Sequence, residues 1–361
     1  MIRFSPQTTL PRALAGFVIF GILIFAATTF VVVRERVGDF QRAALAKAVA
    51  VRTDGAATAF AGMLDRDWQD LGSIAALVPH LGAEGLGAVL DATAGPGKRI
   101  SWAGYARPNG EIVAASGDML VGADVASRPW FRQGLQGPVA GDVHEAVLLA
   151  EILGPEGGPT PQFLDLARPI EAADGRVSGV LGFHIDAARA QEYLDDVGDA
   201  LELELAIVNA SGDIVLSTDG GQLTRDLPSI GAAAMGVATS GFETGPDGAR
   251  YFATVLPSVG YGDLPSFGWR LVGRIPEAQF ALTSATGLLA EAGVIFVAAT
   301  LVFLAAAMIF ARLYLVPVGR LAGNARRISE GVEEYPAEIR TTAELRILSE
   351  ALVRLDVQRA A

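Results

Sequence analysis

Arg128, Trp130 and Asp186 are the residues best suited to holding a small charged molecule. The planar guanidinium of Arg128 can form two parallel hydrogen bonds to a carboxylate. Trp130 offers an aromatic face to a cation or to an apolar group, and Asp186 could hold an ammonium group. Acting together, these three side chains would recognise both ends of an amino acid.

The same residues also have structural interpretations. Arg128 could cap a loop or pair with Asp124, and Trp130 and Phe131 could belong to a hydrophobic core. Asp186 stands directly before a predicted helix, where aspartate is a preferred N-cap. The residue types therefore leave a binding role and a structural role open at each position.

Composition and motifs exclude several other kinds of site. The chain has no cysteine, which excludes disulfides, thiolate catalysis and cysteine-ligated metals. His80, His144 and His184 are scattered, and none has a partner at metal-ligand spacing, so no metal or other cofactor is predicted. No G-x-S-x-G, H-E-x-x-H or P-loop motif occurs, so no catalytic residue is predicted. Acidic residues outnumber basic ones by 40 to 28, which argues against a nucleic-acid partner.

Two apolar segments, 13–33 and 288–311, must anchor the part of the chain that carries these residues. The second contains an uncharged stretch from Ala292 to Ala311. A helix of about 20 residues is long enough to cross a bilayer. The first segment is too long for the core of a signal peptide and no A-x-A cleavage site follows it, so both segments are predicted to be membrane spans.

The charges around the second span predict the orientation of the chain. Four arginines follow it and two glutamates precede it, namely Arg312, Arg320, Arg326, Arg327, Glu277 and Glu291. The C-terminus and the tail 1–12 are therefore expected in the cytoplasm. Residues 34–280 are expected on the periplasmic or extracellular side of the cell (inner) membrane, with lipid around the spans.

The segment after the first span is predicted to continue as a helix to about Pro79. Its apolar positions recur at helical spacing, at Val37, Phe40, Ala44, Ala48 and Val51. A shorter helix is predicted around 83–92. Gly55, Gly62 and Gly72 each lower the helix propensity of the long segment.

A strand, a glycine turn and a second strand occur twice, about 100 residues apart. The first copy spans 100–115 with a turn at Asn109-Gly110, and the second spans 205–217 with a turn at Ser211-Gly212. Further strands are predicted at 161–169, 177–185, 250–256 and 269–275. This repetition predicts two similar α+β modules in tandem, a distal one at about 80–200 and a proximal one at about 201–280. The alternative is a generic hairpin that occurs twice by chance.

Residues 34–280 resemble a double Cache sensor, which is a pair of PAS-like modules outside the membrane. The resemblance rests on four segments, 109–116, 121–131, 167–170 and 174–181. It implies that the distal module holds a small ligand, with the site drawn from Tyr105, Arg128, Trp130, Phe131, His144 and Asp186.

The chain departs from the amino-acid-binding pattern of that family at several positions. Phe131 replaces an aromatic hydroxyl, Ala123 stands where an earlier tyrosine is expected, and His144 or Asp142 occupies the region of a later one. The ligand class therefore stays open between an amino acid, another small carboxylate and an amine. Arg168 could brace the sheet, and His144 could form a surface pair with Glu145.

Residues 312–361 resemble a HAMP domain. Pro317 begins a first amphipathic helix that Gly331 ends, and Leu345 lies at the start of a second. The predicted seam residues are Pro317, Leu321, Ile328, Leu345, Leu348 and Leu352, with Leu355 continuing the pattern. Because helices this short are unstable alone, a homodimer that supplies four of them is expected. The alternative is a juxtamembrane helix on the lipid surface.

The two resemblances together imply a transmembrane signal-transduction receptor. Ligand binding outside would be relayed to a cytoplasmic kinase, cyclase or chemotaxis partner. Either this chain is the input half of a longer receptor, or it signals through a separate protein. The alternative of a different class is a non-signalling, membrane-anchored scaffold for periplasmic binding or assembly.

Overall fold

The computed structural model describes residues 10–145, 149, 160–331 and 338–360. The chain divides into two units, of which Arg42–Leu282 is one and Met1–Gln41 with Thr283–Ala361 is the other. The unit Arg42–Leu282, called here the sensor unit, carries both β-sheets. The second, called here the membrane unit, is helical in its described part.

The first helix, α1, runs without interruption from Leu10 to Leu77, which confirms the long helix predicted from the sequence. The face of α1 that packs on the sheets contains Leu45, Val49 and later buried residues. Phe40 and Val51 are exposed. The side chain of Val37 lies outside the described part.

The distal module contains a five-stranded antiparallel sheet in the order β2-β1-β5-β4-β3. A 3-10 turn at Val78–His80 follows α1, and another at Ser116–Asp118 follows β2. The remaining elements are α2 (Ala83–Thr93), β1 (Ile100–Ala106), β2 (Ile112–Ala115), α3 (Pro129–Gly134), β3 (Val139–Glu145), β4 (Gln162–Glu171) and β5 (Val177–Asp186).

The proximal module repeats this arrangement in the order β7-β6-β10-β9-β8. Its elements are α4 (Ala187–Leu201), β6 (Glu204–Val208), β7 (Ile214–Ser217), α5 (Pro228–Ala234), β8 (Thr239–Thr244), β9 (Arg250–Leu256) and β10 (Arg270–Pro276). The two matching strand orders confirm the prediction of two similar α+β modules in tandem. Strands β3 and β8, which the sequence analysis did not predict, occupy equivalent edges of the two sheets.

One hydrophobic core joins α1 to the facing side of both sheets. Phe60 and Leu64 on α1 share this core with Phe183 of the distal sheet and Leu271 of the proximal sheet. The opposite side of each sheet is covered by a short helix. α3 covers the distal sheet over a core that contains Trp102 and Phe131, and α5 covers the proximal sheet.

An ion pair and a cation–π contact add polar attachments between α1 and the distal module. Asp67 is fully buried and accepts hydrogen bonds from Arg99, which stands directly before β1. The guanidinium of Arg168 lies 4.2 Å from the ring centroid of Trp68. Burial lowers the pKa of Arg168 below its ordinary value. This contact agrees with the alternative that Arg168 braces the sheet.

In the membrane unit, Arg12–Val33 and Gly293–Ser329 are long and apolar enough to cross a membrane. The helix α6 (Glu277–Phe310) continues through a π-helical turn at Ala311–Leu315 into α7 (Val316–Ser329). Pro317 lies in the first turn of α7 without breaking the helix. Gly331, with a φ of 85°, ends α7 as predicted.

The last helix, α8 (Ala343–Ala360), packs on α7. Their shared core contains five residues, Leu321, Ile328, Ile339, Leu345 and Leu352. Four of them belong to the predicted seam. Leu348 is 50% exposed and Leu355 is 57% exposed. Residues 332–337, which follow Gly331, lie outside the described residues.

Candidate functional site

The distal module contains a cavity of about 250 Å³ between α3 and the edge of the sheet. The residues that line it come from both sides of the gap and are Trp102, Leu120, Val125, Arg128, Pro129, Trp130, His144, Glu145, Leu149 and His184. Three of them were predicted from the sequence as ligand-binding residues, namely Arg128, Trp130 and His144.

Arg128 is placed in the cavity wall by the start of α3. Pro129 opens this helix, and a residue before proline is held in the extended region, as Arg128 is with φ −75° and ψ 137°. Asp124, its alternative partner, instead accepts a hydrogen bond from the backbone N–H of Ala126 at 2.8 Å. Within the described part of the chain, the Arg128 guanidinium has no hydrogen bond or ion pair. The guanidinium is therefore half-buried, and its N–H groups have no acceptor among the described residues.

Aromatic rings line the same cavity as Arg128. Trp130 meets Trp102 edge-on, with ring centroids 5.8 Å apart, and Trp102 stacks on His184 at 4.9 Å. The indole N–H of Trp102 donates to the carbonyl of Met119 at 3.1 Å, which fixes that ring. Gly182 makes the close approach of Trp130 possible, because a Cβ there would lie 2.8 Å from the indole. The rings of this wall are thus closely packed on one another.

His144, Asp165 and His184 lie together at one side of the cavity. Asp165 on β4 is directly opposite His184 on β5, and their side chains are hydrogen-bonded through Oδ1 and Nδ1. His144 on β3 places Nε2 3.5 Å from Oδ2 of Asp165. One ligand atom from each residue lies within 4.8 Å of the others. The prediction that the histidines are scattered is corrected here, because strand pairing brings together residues that are 21 and 19 positions apart.

The other predicted site residues stand outside this cavity. Tyr105 donates from its hydroxyl to the carbonyl of Ser178 at 2.8 Å, and Phe131 is buried in the core under α3. Asp186 accepts a hydrogen bond from the backbone N–H of Ala188 at 2.9 Å, as the N-cap of α4. It lines a different cavity of about 500 Å³. The structure therefore does not place Asp186 opposite Arg128, and the acidic residue that lines the Arg128 cavity is Glu145.

The proximal module uses the equivalent position differently. Ser229 in the first turn of α5 donates from its backbone N–H and its hydroxyl to the two carboxylate oxygens of Glu243 on β8, at 3.1 and 3.0 Å. Both residues are buried. The distal module has a cavity between its helix and its edge strand. At the same place the proximal module has the two hydrogen bonds between Ser229 and Glu243. The distal module is thus the better candidate for ligand binding.

No protein-family description and no curated protein matches the sequence. Among solved structures, the chain is similar to an extracellular ligand-binding receptor from Desulfohalobium retbaense, at 13% identity and a TM-score of 0.48. That similarity covers 63% of this chain and 40% of the receptor chain, so this chain spans less than half of that receptor.

Two chemoreceptor domains from Pseudomonas are similar over most of their own length. One is the ligand-binding domain of the Pseudomonas aeruginosa amino-acid chemoreceptor PctC in complex with GABA, at 16% identity and a TM-score of 0.45. The similarity covers 61% of this chain and 94% of that domain. The other is the ligand-binding domain of the Pseudomonas fluorescens chemoreceptor CtaA in complex with L-leucine, at 14% identity and a TM-score of 0.46. It covers 69% of this chain and 98% of that domain.

These similarities are distant and identify neither a ligand nor a function for this chain. The fold is established by the chain's own topology, in which two five-stranded antiparallel sheets have the same strand order and share one long helix. This architecture agrees with the resemblance to double Cache sensors that the sequence motifs carry.

Proposed function

We propose that this chain is a two-pass membrane receptor whose distal module binds a small extracytoplasmic ligand. The observation that carries the proposal is the cavity beside α3, whose lining combines the guanidinium of Arg128, which has no partner among the described residues, with buried aromatic rings. Binding cavities typically combine an apolar lining with a few polar groups that fix orientation. The proximal module, which has the Ser229–Glu243 link at that position, serves as a structural connection.

The lining favours a small ligand with a carboxylate. A charge-assisted, bidentate pair with Arg128 is the strongest polar contact that the cavity can offer. An ammonium group on the same ligand would be held by Glu145 or by the face of Trp130. This assignment keeps small carboxylates and amino acids as ligand classes, and it moves the ammonium partner from Asp186 to Glu145.

The relay begins at β3, which carries both His144 of the cavity wall and Asp142. The carboxylate of Asp142 accepts hydrogen bonds from Trp269 and Asn209 of the proximal module. Trp269 stands directly before β10, and α6 begins at Glu277, one residue after β10 ends. A shift of β3 on ligand binding therefore has a short covalent and hydrogen-bonded route to the second span. The ligand must bind one arrangement better than the other for this shift to occur.

The output end of the proposed receptor is a HAMP-like homodimer. Leu348 and Leu355 stay half exposed on α8, on the side that a second copy would cover. Four helices from two copies would bury them, as the heptad pattern requires. The termini lie in the cytoplasm in this proposal, where α8 would act on a kinase, a cyclase or a chemotaxis partner.

The binding proposal is tested on the full chain in lipid nanodiscs. All four tryptophans, Trp68, Trp102, Trp130 and Trp269, lie in the sensor unit, and two of them line the cavity. Their fluorescence during heating is measured with amino acids, small carboxylates and amines. A ligand present at 100 times its dissociation constant adds about 2.7 kcal/mol to the free energy of unfolding. Absence of any stabilising compound would count against the proposal.

A second experiment separates a receptor from a scaffold. The chain has no cysteine, so Leu348→Cys provides a single thiol for cross-linking two copies across the proposed seam. In a receptor, a stabilising ligand changes the rate of this cross-linking, and adding Leu345→Glu abolishes the change while ligand affinity persists. In a scaffold, the ligand leaves the cross-linking rate unchanged in both backgrounds.

A further inference from the structure

We propose that His144, Asp165 and His184 form a binding site for a divalent transition-metal ion of the zinc type. The site would use Nε2 of His144, the carboxylate of Asp165 and one ring nitrogen of His184. This inference goes beyond the receptor role, because a metal site of this kind would exist in a receptor and in a scaffold alike.

The spacing of two of the three donor atoms suits a tetrahedral metal. Two ligand atoms that each lie about 2.1 Å from a tetrahedral zinc ion are about 3.4 Å apart. The separation between Nε2 of His144 and Oδ2 of Asp165 is 3.5 Å. The ring centroids of His144 and His184 are 6.2 Å apart, and a ligand atom of each lies within 4.8 Å of the others. Movement of the half-exposed His144 ring toward the buried His184 would close the three donors around one ion.

The hydrogen bonding of His144 directs the correct nitrogen toward Asp165. Its Nδ1 lies 3.0 Å from the backbone carbonyl of Asp142. A carbonyl can only accept, so Nδ1 carries the proton and Nε2 of the neutral ring presents a lone pair. This is the arrangement that metal-ligating histidines commonly use, with the other ring nitrogen donating to a carbonyl or carboxylate.

The two side chains leave a place for a cation between them. Nε2 of His144 lies 3.5 Å from Oδ2 of Asp165, which is almost fully buried. A metal ion bound by both atoms would form two coordinate bonds there. A proton on Nε2 is the competing occupant, and the experiment below distinguishes the two.

The surroundings hold His184 in place and leave one coordination position open. Trp102 stacks on His184, and Phe163 lies 6.1 Å from it, so the ring has little freedom. Three protein ligands leave the fourth tetrahedral position for water or for a bound anion. His144 and His184 both line the cavity that contains Arg128, so the open position faces the proposed ligand. Two imidazoles and one carboxylate favour zinc or a similar transition metal over calcium or magnesium, which prefer oxygen ligands.

The test uses the full chain in nanodiscs, freed of metal by a chelator that is then removed. Zn²⁺ is titrated by calorimetry, and Co²⁺ is titrated by visible absorption, which reports tetrahedral coordination directly. His144→Gln removes one donor from a half-exposed position and should not disturb the fold. His80→Gln is the matched control, because His80 is the third histidine of the chain and is exposed outside the cavity.

We expect one equivalent of Zn²⁺ per chain, with affinity reduced at least about tenfold by His144→Gln and unchanged by His80→Gln. A large excess of Mg²⁺ should not compete. Arg128→Ala should retain Zn²⁺ binding, so that failure of the metal site and failure of the ligand proposal remain separate results. Absence of saturable binding, which is the result expected if a proton occupies the site, would overturn the proposal. Binding of equal strength in His144→Gln would overturn it as well.

Discussion

The indole N–H of Trp269 in the proximal module donates a 2.7 Å hydrogen bond to Oδ1 of Asp142 in the distal module. The other carboxylate oxygen of Asp142 accepts from the side-chain amide of Asn209 at 2.8 Å. The backbone carbonyl of Asp142 accepts from Nδ1 of His144, which lines the cavity. One residue thus connects the cavity wall to the neighbouring module through three hydrogen bonds.

Replacing Asp142 with alanine should weaken the junction between the modules. The substitution leaves two donors, on Trp269 and Asn209, without their acceptor, and each buried unpaired donor costs about 1–3 kcal/mol. Trp269 is 1% exposed and Asn209 is 8% exposed, so the expected loss in the free energy of unfolding is at least about 2 kcal/mol in total. Urea unfolding of the full chain in nanodiscs, followed by tryptophan fluorescence, measures it.

Asp174→Ala is the matched control for that experiment. Asp174 is an exposed aspartate of the same module, and its partner Arg176 stands two residues away in the same turn. Its removal should leave the unfolding midpoint almost unchanged. Equal effects of the two substitutions would show that Asp142 does not join the modules.

The ion pair between Asp67 and Arg99 predicts a stability that depends on pH. Burial raises the pKa of Asp67 above its ordinary value, and Arg99 opposes that rise. Arg99→Ala removes the opposition and leaves a buried carboxylate unpaired, at a cost of about 3 kcal/mol near pH 7. Asp67→Ala should cost less, because Arg99 is 39% exposed and can be hydrated.

The sign of the pH effect follows from the direction of the shift. In Arg99→Ala, the folded-state pKa of Asp67 lies further above the unfolded value of about 3.9. Folding then favours the protonated carboxyl, so stability is retained below about pH 4 and is lost as the pH rises through the folded-state pKa. The free energy of unfolding of Arg99→Ala should therefore fall further below that of the unsubstituted chain as the pH rises from about 4 to about 7. Arg107→Ala, at an exposed arginine paired with Glu111, should show no such fall.

The proposed seam of α8 predicts proximity between two copies of the chain. Leu348→Cys should form a cross-linked dimer rapidly in membranes, because the heptad pattern places this position at the interface between two copies of α8. Glu350→Cys, two positions further on, points to another side of the helix and should cross-link slowly. Equal cross-linking at the two positions would contradict a parallel dimer joined along this seam.

Much of the architecture could be predicted from local sequence signals. The hairpins at 100–115 and 205–217 carry glycine turns between apolar strands, and both turn glycines, Gly110 and Gly212, adopt positive φ. Strands such as β9, at Arg250–Leu256, coincide with the predicted range. The two modules could be predicted to have the same order of elements, because each copy repeats the same local pattern.

The group of His144, Asp165 and His184 was not predicted because strand β3 was not predicted. β3 reads Val-Ala-Gly-Asp-Val-His-Glu, with polar residues and a glycine, so neither its apolar content nor its alternation predicts a strand. An edge strand can tolerate such a sequence, since one of its sides makes no ladder hydrogen bonds. Without β3 in the sheet, nothing in the sequence places His144 beside Asp165 and His184. Register across three strands is a tertiary property, which spacing along the chain does not encode.

Asp186 is a residue for which the sequence predicted two roles without deciding between them. Its chemistry suits an ammonium group, and its position before a helix suits an N-cap. Both interpretations came from the sequence, and the structure shows the second, with the carboxylate bonded to the backbone of Ala188. Glu145 at the end of β3 lines the cavity instead, and it was found only with that strand.

The central claim is that the cavity beside α3 binds a small carboxylate through Arg128. The most direct test measures the affinity of the best stabilising ligand for the full chain, for Arg128→Ala and for Arg132→Ala. Arg132 lies on the same helix, is exposed and does not line the cavity, so its removal makes the same change in charge. Loss of a charge-assisted pair should weaken binding at least about tenfold in Arg128→Ala and leave Arg132→Ala unchanged. Equal affinity in all three proteins would contradict the account and place the ligand elsewhere.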